Sequence, residues 1–168
     1  MTGGRQPVRL VGDGLVLREW EERDLPLMAE LLDDPDVALW TPLPTPFTAE
    51  QARLRLERSR RRDPLQLAVT TDGDLPLGEV VLMSTGHLGY VLGARHRGQG
   101  LAARAVALLR EHAHDVGHEA VRLQISEGNL ASEALARRTG FRLVPGEDEV
   151  VVDKGRTHRL RTWEHRRP

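Results

Sequence analysis

Alternating apolar and polar residues predict strands along much of this chain. The plainest case is residues 121–126, where valine, leucine and isoleucine alternate with arginine, glutamine and serine. Alternation of this kind gives a strand two unlike faces, one suited to a core and one to polar surroundings. Further strands are predicted at residues 8–11, 15–18, 65–70, 77–83, 87–92, 149–153 and 157–163. Short turns containing glycine and aspartate lie between several of them and favour antiparallel pairing.

Apolar residues at helical spacing predict helices between these strands. The longest covers residues 100–116, where Leu101 and Leu109 share one face and Gly117 is placed to end the helix. The others are predicted at residues 24–34, 48–61 and 129–139, with an irregular proline-rich loop at 41–47. A strand, a long helix and another strand in succession indicate a parallel crossover. The predicted fold class is therefore mixed α/β, a central and mostly antiparallel sheet with one parallel crossover and flanking helices, in one domain over residues 1–168.

The composition narrows the classes of function. A chain of 168 residues with 39% hydrophobic residues, 29% charged residues and a formal net charge of -1 is typical of a soluble globular protein, and this charge does not favour specific nucleic-acid binding. The longest apolar run, residues 80–83, is far shorter than the roughly 20 residues that cross a bilayer. We therefore expect no membrane partner and a cytoplasmic location. The chain has no cysteine, which excludes disulfides, thiolate metal ligands and a cysteine-linked acyl intermediate.

The segment HRGQGLAARAV, residues 96–106, places two glycines directly before the longest predicted helix. One interpretation is a dinucleotide turn, because residues 98–103 match G-x-G-x-x-A and Glu127 could bind a ribose. In that fold the strand runs directly into the first glycine, whereas polar residues intervene here and too little chain follows Glu127 for a doubly wound sheet. A second interpretation is an ordinary loop. The third is a pyrophosphate turn, in which small residues let phosphate oxygens approach backbone N–H groups at a helix N-terminus.

Three motifs together favour the pyrophosphate turn. They are RxxGxA at residues 97–102, Asn-Leu-Ala-Ser at 129–132 and Thr-Gly-Phe at 139–141. With them the chain resembles the GNAT superfamily of acyl-CoA N-acyltransferases, and Leu-Gly-Tyr-Val-Leu-Gly at 88–93 resembles the branch that includes the bacterial ribosomal-protein-alanine N-acetyltransferases. The resemblance covers nearly the whole chain and is most specific over residues 88–141. It implies a GNAT-like fold and direct transfer of an acetyl group from acetyl-CoA to a primary amine, of a protein N-terminus or a small molecule, in a ternary complex without a metal.

The resemblance also implies where acetyl-CoA would bind. The backbone of Tyr90, Val91 and Leu92 would pair with the pantetheine amides, as the edge of a strand does, and the N–H groups of the glycine turn would hold the pyrophosphate. Asn129 would bond the pantetheine arm or a neighbouring strand, and its alternative role is a plain N-cap. The implied cofactor-binding residues are Tyr90, Val91, Leu92, Arg97, Gly98, Gln99, Gly100, Leu101, Ala102, Ala103 and Asn129.

Catalysis in this superfamily needs an acid for the departing thiolate and a base for the amine. Many relatives use a tyrosine seven residues after the asparagine, but that position is Ala136 here and the chain's one tyrosine is Tyr90. The resemblance makes Ser132 the candidate acid, and the alternative is a first-turn serine that satisfies backbone groups. Glu79, acting through a water, is the candidate base, and the alternative is a solvated surface glutamate. His87 is a second candidate base, because histidine titrates near neutrality.

Several further features of the sequence have more than one interpretation. His112, His114 and His118 raise the question of a metal, but their spacing lacks a carboxylate signature and we expect none. Trp40 either lines an acceptor pocket or covers the core. An edge strand in the C-terminal hairpin would allow a homodimer. Because the usual tyrosine is missing, a catalytically silent acyl-CoA-binding sensor or interaction protein is the alternative to an N-acetyltransferase.

Overall fold

The computed structural model of the chain describes residues 4–168 and contains one mixed sheet with helices on both faces. The strands are β1 Arg9–Gly12, β2 Leu15–Glu19, β3 Leu65–Thr70, β4 Gly78–Leu82, β5 His87–Leu92, β6 Ala120–Ser126, β7 Arg142–Leu143, β8 Glu149–Asp153 and β9 Arg156–Arg166. The helices are α1 Leu25–Leu32, α2 Pro35–Trp40, α3 Ala49–Ser59, α4 Leu101–Asp115 and α5 Leu130–Arg138, with 3₁₀ turns at Glu22–Asp24 and Ala94–His96. Within residues 4–168, every helix is too short or too polar to pass through a bilayer.

The strand order is β1-β2-β3-β4-β5-β6-β9-β7, and β8 pairs with β9. Only β5 and β6 run parallel, because α4 carries the chain back across the sheet between them, and every other pair is antiparallel. The predicted fold class is therefore confirmed. This topology excludes a doubly wound parallel sheet, and with it the dinucleotide interpretation of the glycine turn.

The predicted helix over residues 24–34 corresponds to α1, which ends at Leu32, and α2 follows it as a second helix that was not predicted. The chain breaks at Asp33 and Asp34, and Pro35 opens α2 in its first turn. The Asp34 carboxylate caps α2 by accepting hydrogen bonds from the backbone N–H groups of Asp36 and Val37, at 2.8 and 3.2 Å. α2 was missed because its 6 residues are too few to show a helical repeat.

Each face of the sheet carries its own buried cluster. On the first face, which we call the α4 face, Leu88, Leu123 and Trp163 pack with α4 and α5. On the second, which we call the α1–α3 face, apolar residues of α1 and α3 pack on Ala68 and Val91. Because side chains alternate along a strand, odd positions of β6 and β9 point to the α4 face and even positions to the α1–α3 face.

The sheet is split between β5 and β6. These strands pair only at His87 with Arg122 and at Leu88 with Leu123, although both continue for several residues. β5 stays paired with β4 as far as Leu92, and β6 stays paired with β9 as far as Ser126. The split therefore exposes one edge of β5 within the sheet.

Candidate functional site

The glycine turn ends at an α-helix whose N-terminus no side chain caps. Gly98 and Gly100 have φ angles of 81° and 74°, a left-handed conformation that glycine adopts without strain, and α4 begins at the next residue, Leu101. By contrast, side chains of Asp34, Thr48 and Asn129 cap α2, α3 and α5. The first N–H groups of a helix have no intrahelical partner, and the helix dipole makes this end positive. The turn therefore presents backbone donors to an anion.

Space around the turn fits a phosphate group. A Cβ atom added to Gly98 or Gly100 would meet no other atom within 4 Å. Leu101 is buried and fixes the start of α4 to the core, while Ala102 and Ala103 pack against the same cluster. The predicted phosphate-binding segment from Gly98 to Ala103, which we call the cradle, is thus anchored to the core by apolar side chains, while its glycines have free space on the other side. The residues present fit a pyrophosphate, whose oxygens would accept from these N–H groups.

The Arg97 side chain is held by acidic residues of α2 and by β5, outside the cradle. Its guanidinium pairs with Asp36 at 3.0 Å and Asp34 at 3.2 Å, and its Nε donates to the Leu92 carbonyl at 3.1 Å. Burial acts to raise the pKa of Asp34, but hydrogen bonds from the Val37 N–H and from Arg97 outweigh it and lower that pKa. Arg97 therefore braces the turn against α2 and β5.

The exposed edge of β5 offers backbone groups from alternate residues. The Gly93 N–H donates to Leu77 and the Met83 N–H to His87, so odd residues of β5 direct their backbone groups to β4. Tyr90 and Leu92 consequently face the split, where the Leu92 carbonyl already accepts from Arg97. The expectation of a pantetheine bond to the backbone of Val91 is wrong, because β4 takes those groups.

Two hydroxyl groups meet across the α4 face. The Tyr90 phenol and the Ser132 hydroxyl are 2.7 Å apart, although 42 residues separate them in the chain. Burial raises the pKa of Tyr90, and the hydrogen bond with Ser132 acts in the opposite direction. The phenol therefore stays protonated near neutral pH and keeps a proton that it can donate. The sequence prediction missed this side-chain role of Tyr90; the signal available was the chain's one tyrosine together with the missing tyrosine at Ala136.

Asn129 adopts its alternative role as an N-cap. Its Oδ1 accepts from the Ser132 N–H at 3.4 Å, and its backbone N–H donates to the Ser126 carbonyl at 3.0 Å. These contacts fix the start of α5, and with it the position of the Ser132 hydroxyl opposite Tyr90.

Glu79 is buried on the α1–α3 face and is not a solvated surface residue. Its side chain is 1% exposed, and its two carboxylate oxygens bind the guanidinium of Arg55 on α3. The Trp20 Nε1 donates to the same carboxylate at 2.9 Å. Glu79 thus joins β4, α3 and the end of β2, and a base role would require a water to displace one of these partners.

The remaining histidine candidates lie apart from the glycine turn. His87 stands at the start of β5 beside Thr85, 2.9 Å from its hydroxyl, and burial lowers the pKa of His87. His114 is buried, and its ring nitrogens contact the His118 carbonyl at 2.7 Å and His165 Nδ1 at 2.9 Å. Over residues 4–168, no group of three or more histidine, aspartate or glutamate side chains is arranged to hold a metal ion.

Trp40 ends α2 and is 36% exposed. Its ring meets that of His158 on β9 edge to face, with centroids 6.4 Å apart. The sequence prediction considered Trp40 as a pocket residue but did not single out His158, because nothing local to β9 distinguishes it from the other polar residues of that strand.

Comparison with known proteins places this geometry in a family. The family model described as an acetyltransferase (GNAT) domain matches residues 14–142. Among solved structures, a GNAT-family acetyltransferase from Bacillus anthracis is 16% identical, with a TM-score of 0.82 over 95% of this chain and 98% of that one. The ribosomal L7/L12 α-N-protein acetyltransferase RimL in complex with coenzyme A is 19% identical, with a TM-score of 0.80 over 95% and 98%. A ribosomal-protein-alanine N-acetyltransferase from Brucella melitensis is 23% identical, with a TM-score of 0.73 over 89% and 98%.

Proposed function

Because the chain belongs to the GNAT acetyltransferase domain family, we propose that it moves an acetyl group from acetyl-CoA directly to a primary amine in a ternary complex. The observation that carries the proposal is the uncapped N-terminus of α4, whose glycine turn lies open beside the exposed edge of β5. A pyrophosphate fits the first feature, and an amide-containing arm fits the second. A solved structure of similar fold, RimL, is a complex with coenzyme A.

When bound, acetyl-CoA would supply the reactive thioester. We assign its pyrophosphate to the N–H groups from Gly98 to Ala103, with Gln99 and Leu101 contributing through their backbone. The pantetheine amides would pair with the backbone groups of Tyr90 and with the N–H of Leu92, as an added strand does, since Arg97 already occupies the Leu92 carbonyl. Arg97 takes part by holding the turn in place.

The hydroxyl pair of Tyr90 and Ser132 serves as the acid. Either hydroxyl can donate in their 2.7 Å hydrogen bond, so a proton given up by one can be replaced from the other. In this arrangement Ser132 keeps the role predicted from the sequence and Tyr90 replaces the tyrosine that many relatives carry on the helix.

The sequence predicts Glu79 as the base, acting through a water, and this role requires the water to displace Arg55 or Trp20 from the carboxylate. Its contacts support a further role, since the carboxylate fixes Trp20 and Arg55 on the α1–α3 face. That face would receive the amine, because the acid pair occupies the opposite face of the split sheet.

We propose a protein N-terminal amine or a small-molecule amine as the acceptor. Two of the solved structures of similar fold carry names of ribosomal-protein acetyltransferases, which favours testing N-terminal peptides first.

Isothermal titration with acetyl-CoA and, separately, with NAD tests the cofactor assignment. We expect acetyl-CoA to bind and NAD to give no heat of binding. Release of free coenzyme A is then followed with and without an added peptide or small amine. Amine-dependent release supports the N-acetyltransferase, whereas binding without release for any amine favours the silent acyl-CoA sensor. Failure of acetyl-CoA to bind would overturn both.

A further inference from the structure

Ser126 and His158 lie together on the α1–α3 face beside the split in the sheet. Ser126 ends β6, three residues beyond the last β5–β6 pair, and is buried. Its even position directs the side chain to the α1–α3 face, away from the α4 face to which Ile125 points. His158 on β9 is directed to the same face, and its Nδ1 lies 2.9 Å from the Ser126 hydroxyl.

The opposite side of the split carries Gly89 and Val91 at this point. If β5 and β6 had stayed in register, Val91 would face Ser126, and Gly89 would face Gln124. Gly89 also belongs to the α1–α3 face, and a Cβ atom added there would come no nearer than 4.0 Å to another side chain, that of Val81. β5 and β6 are therefore unpaired between these positions, and we call this stretch of the split the opening.

The end of α2 covers this opening from above. Trp40 packs edge to face on His158. Lys154, in the turn between β8 and β9, donates to the carbonyls of Ala38 and Thr41 at 2.9 Å each, so the hairpin that carries His158 is tied to α2. The half-buried imidazole is consequently held in one place by a hydroxyl, an indole and the fastened hairpin.

We propose that His158 accepts the proton that the acceptor amine loses as it attacks the acetyl group, and that Ser126 positions the imidazole for this step. The inference rests on the proposed acetyltransferase function. In the balanced reaction the amine nitrogen forms a bond to the acyl carbon, the carbon–sulfur bond breaks, the amine proton passes to His158 Nε2, and the Tyr90–Ser132 pair protonates the thiolate.

The chemistry of the ring suits this role. Ser126 holds Nδ1, which leaves Nε2 as the nitrogen that can exchange a proton. Glu79, the base predicted from the sequence, has both oxygens bound by Arg55 and also accepts from Trp20.

Most charged groups on the elements around His158 have hydrogen-bonding or ionic partners. On β8, Glu149 accepts from Gln124 at 3.3 Å and Asp153 pairs with Lys154 at 2.8 Å. On α2, Asp36 pairs with Arg97. On β6, Arg122 pairs with Glu164 of β9 at 2.9 Å, and Arg156 of β9 lies across from Asp153. These groups remain unchanged in the variants below, so a pH effect confined to the His158 variant belongs to its imidazole.

The test measures kcat and kcat/KM for amine-dependent coenzyme A release against pH, together with the Kd of acetyl-CoA. We expect His158→Gln to lower kcat by about 100-fold or more and to leave the Kd of acetyl-CoA unchanged. The fall in rate at acidic pH that protonation of the base causes in the wild type should be absent from the pH profile of this variant. Added imidazole should restore part of the rate to His158→Ala. Ser126→Ala should reduce kcat by a smaller factor than His158→Gln and should shift the fall in rate at acidic pH to a different pH.

Glu79→Gln and His112→Gln are the comparison variants. His112 lies on α4, away from the opening, so its variant should keep wild-type rates. A His158→Gln enzyme with the wild-type rate and pH profile would overturn the inference, as would loss of the acidic limb in Glu79→Gln alone. If the wild-type protein itself releases no coenzyme A with any amine while binding acetyl-CoA, the acetyltransferase proposal fails, and that result is distinct from an unaffected His158 variant.

Discussion

Tyr90 and Ser132 form the hydroxyl pair that we propose as the acid. The position where many relatives carry a tyrosine as the acid is Ala136, yet a half-buried phenol reaches the same helix from β5. Burial raises the pKa of Tyr90 and keeps the phenol protonated, which suits a donor and not a base. The position of this hydroxyl depends on α5, because Asn129 fixes the turn in which Ser132 sits.

Removal of either hydroxyl should slow the chemistry without weakening acetyl-CoA binding. We expect Ser132→Ala and Tyr90→Phe each to lower kcat by about 10- to 100-fold, and the double variant to lose little more, because the two groups act as one donor. Steady-state kinetics and titration with acetyl-CoA measure the two effects separately.

Ser84→Ala, in an exposed turn before β5, controls for loss of a serine hydroxyl elsewhere. Wild-type kcat in both single variants would remove the hydroxyl pair from the mechanism. Fully multiplicative losses in the double variant would mean that the two hydroxyls act independently.

Helices and strands could be predicted where the local sequence pattern determines them. β3, β5 and β8 have the predicted bounds, since alternation and flanking turns act within a few residues. The short β7 was missed, because its two residues are extended only through pairing with β9. The split between β5 and β6 could not be predicted from the sequence either, because it depends on the register between two strands that α4 separates in the chain.

The same limit applies to the candidate site. The glycine turn and the start of α4 were predicted from local sequence, since left-handed residues before a helix call for glycine. The partners of Glu79 and Tyr90 lie 24 and 42 residues away in Arg55 and Ser132, so their burial and bonding follow from packing alone.

At the start of α4, glycine is needed for two separable reasons. Alanine at Gly98 or Gly100 would be strained by about 1–2 kcal/mol at positive φ, although its Cβ has free space in the protein itself. A bound pyrophosphate would meet that Cβ. We therefore expect Gly98→Ala and Gly100→Ala to raise the Kd of acetyl-CoA by about tenfold or more, as titration would measure.

Gly146→Ala is a matched control. Gly146 has a φ of 82° and equally open surroundings, but it lies in the loop between β7 and β8. It should lose similar stability in urea denaturation and keep the wild-type Kd. Equal affinities in all three variants would show that no anion approaches the turn.

On the scale of the whole molecule, a pair of histidines joins α4 to β9 on the far side from the glycine turn. The His118 carbonyl can only accept, so His114 Nδ1 carries a proton and donates to it. In the neutral ring the Nε2 of His114 then accepts from His165 Nδ1. The ring of His165 also packs against Phe141, so the contact links three distant parts of the chain.

This contact makes stability depend on pH. Burial, with the nearby positive charge of Arg110, lowers the pKa of His165 below its ordinary value of 6.5. Below about pH 6.5 the unfolded chain binds a proton at this histidine, whereas the folded protein stays unprotonated there until the lowered pKa is reached. The contribution of His165 to the free energy of unfolding is therefore complete above about pH 6.5 and is lost as the pH falls through the lowered pKa. The expected slope is at most about 1.4 kcal/mol per pH unit for one such group. Urea denaturation between about pH 8 and pH 5 should show the free energy of unfolding falling on the acidic side.

His165→Gln removes the titrating group and should flatten part of this dependence. Part remains, because burial also lowers the pKa of His87 and of His112. The variant should be less stable than the wild type near pH 8, where it lacks the bond to His114, and the difference should narrow as the pH falls. A constant difference across the whole range would mean that His165 holds α4 to β9 without sensing pH.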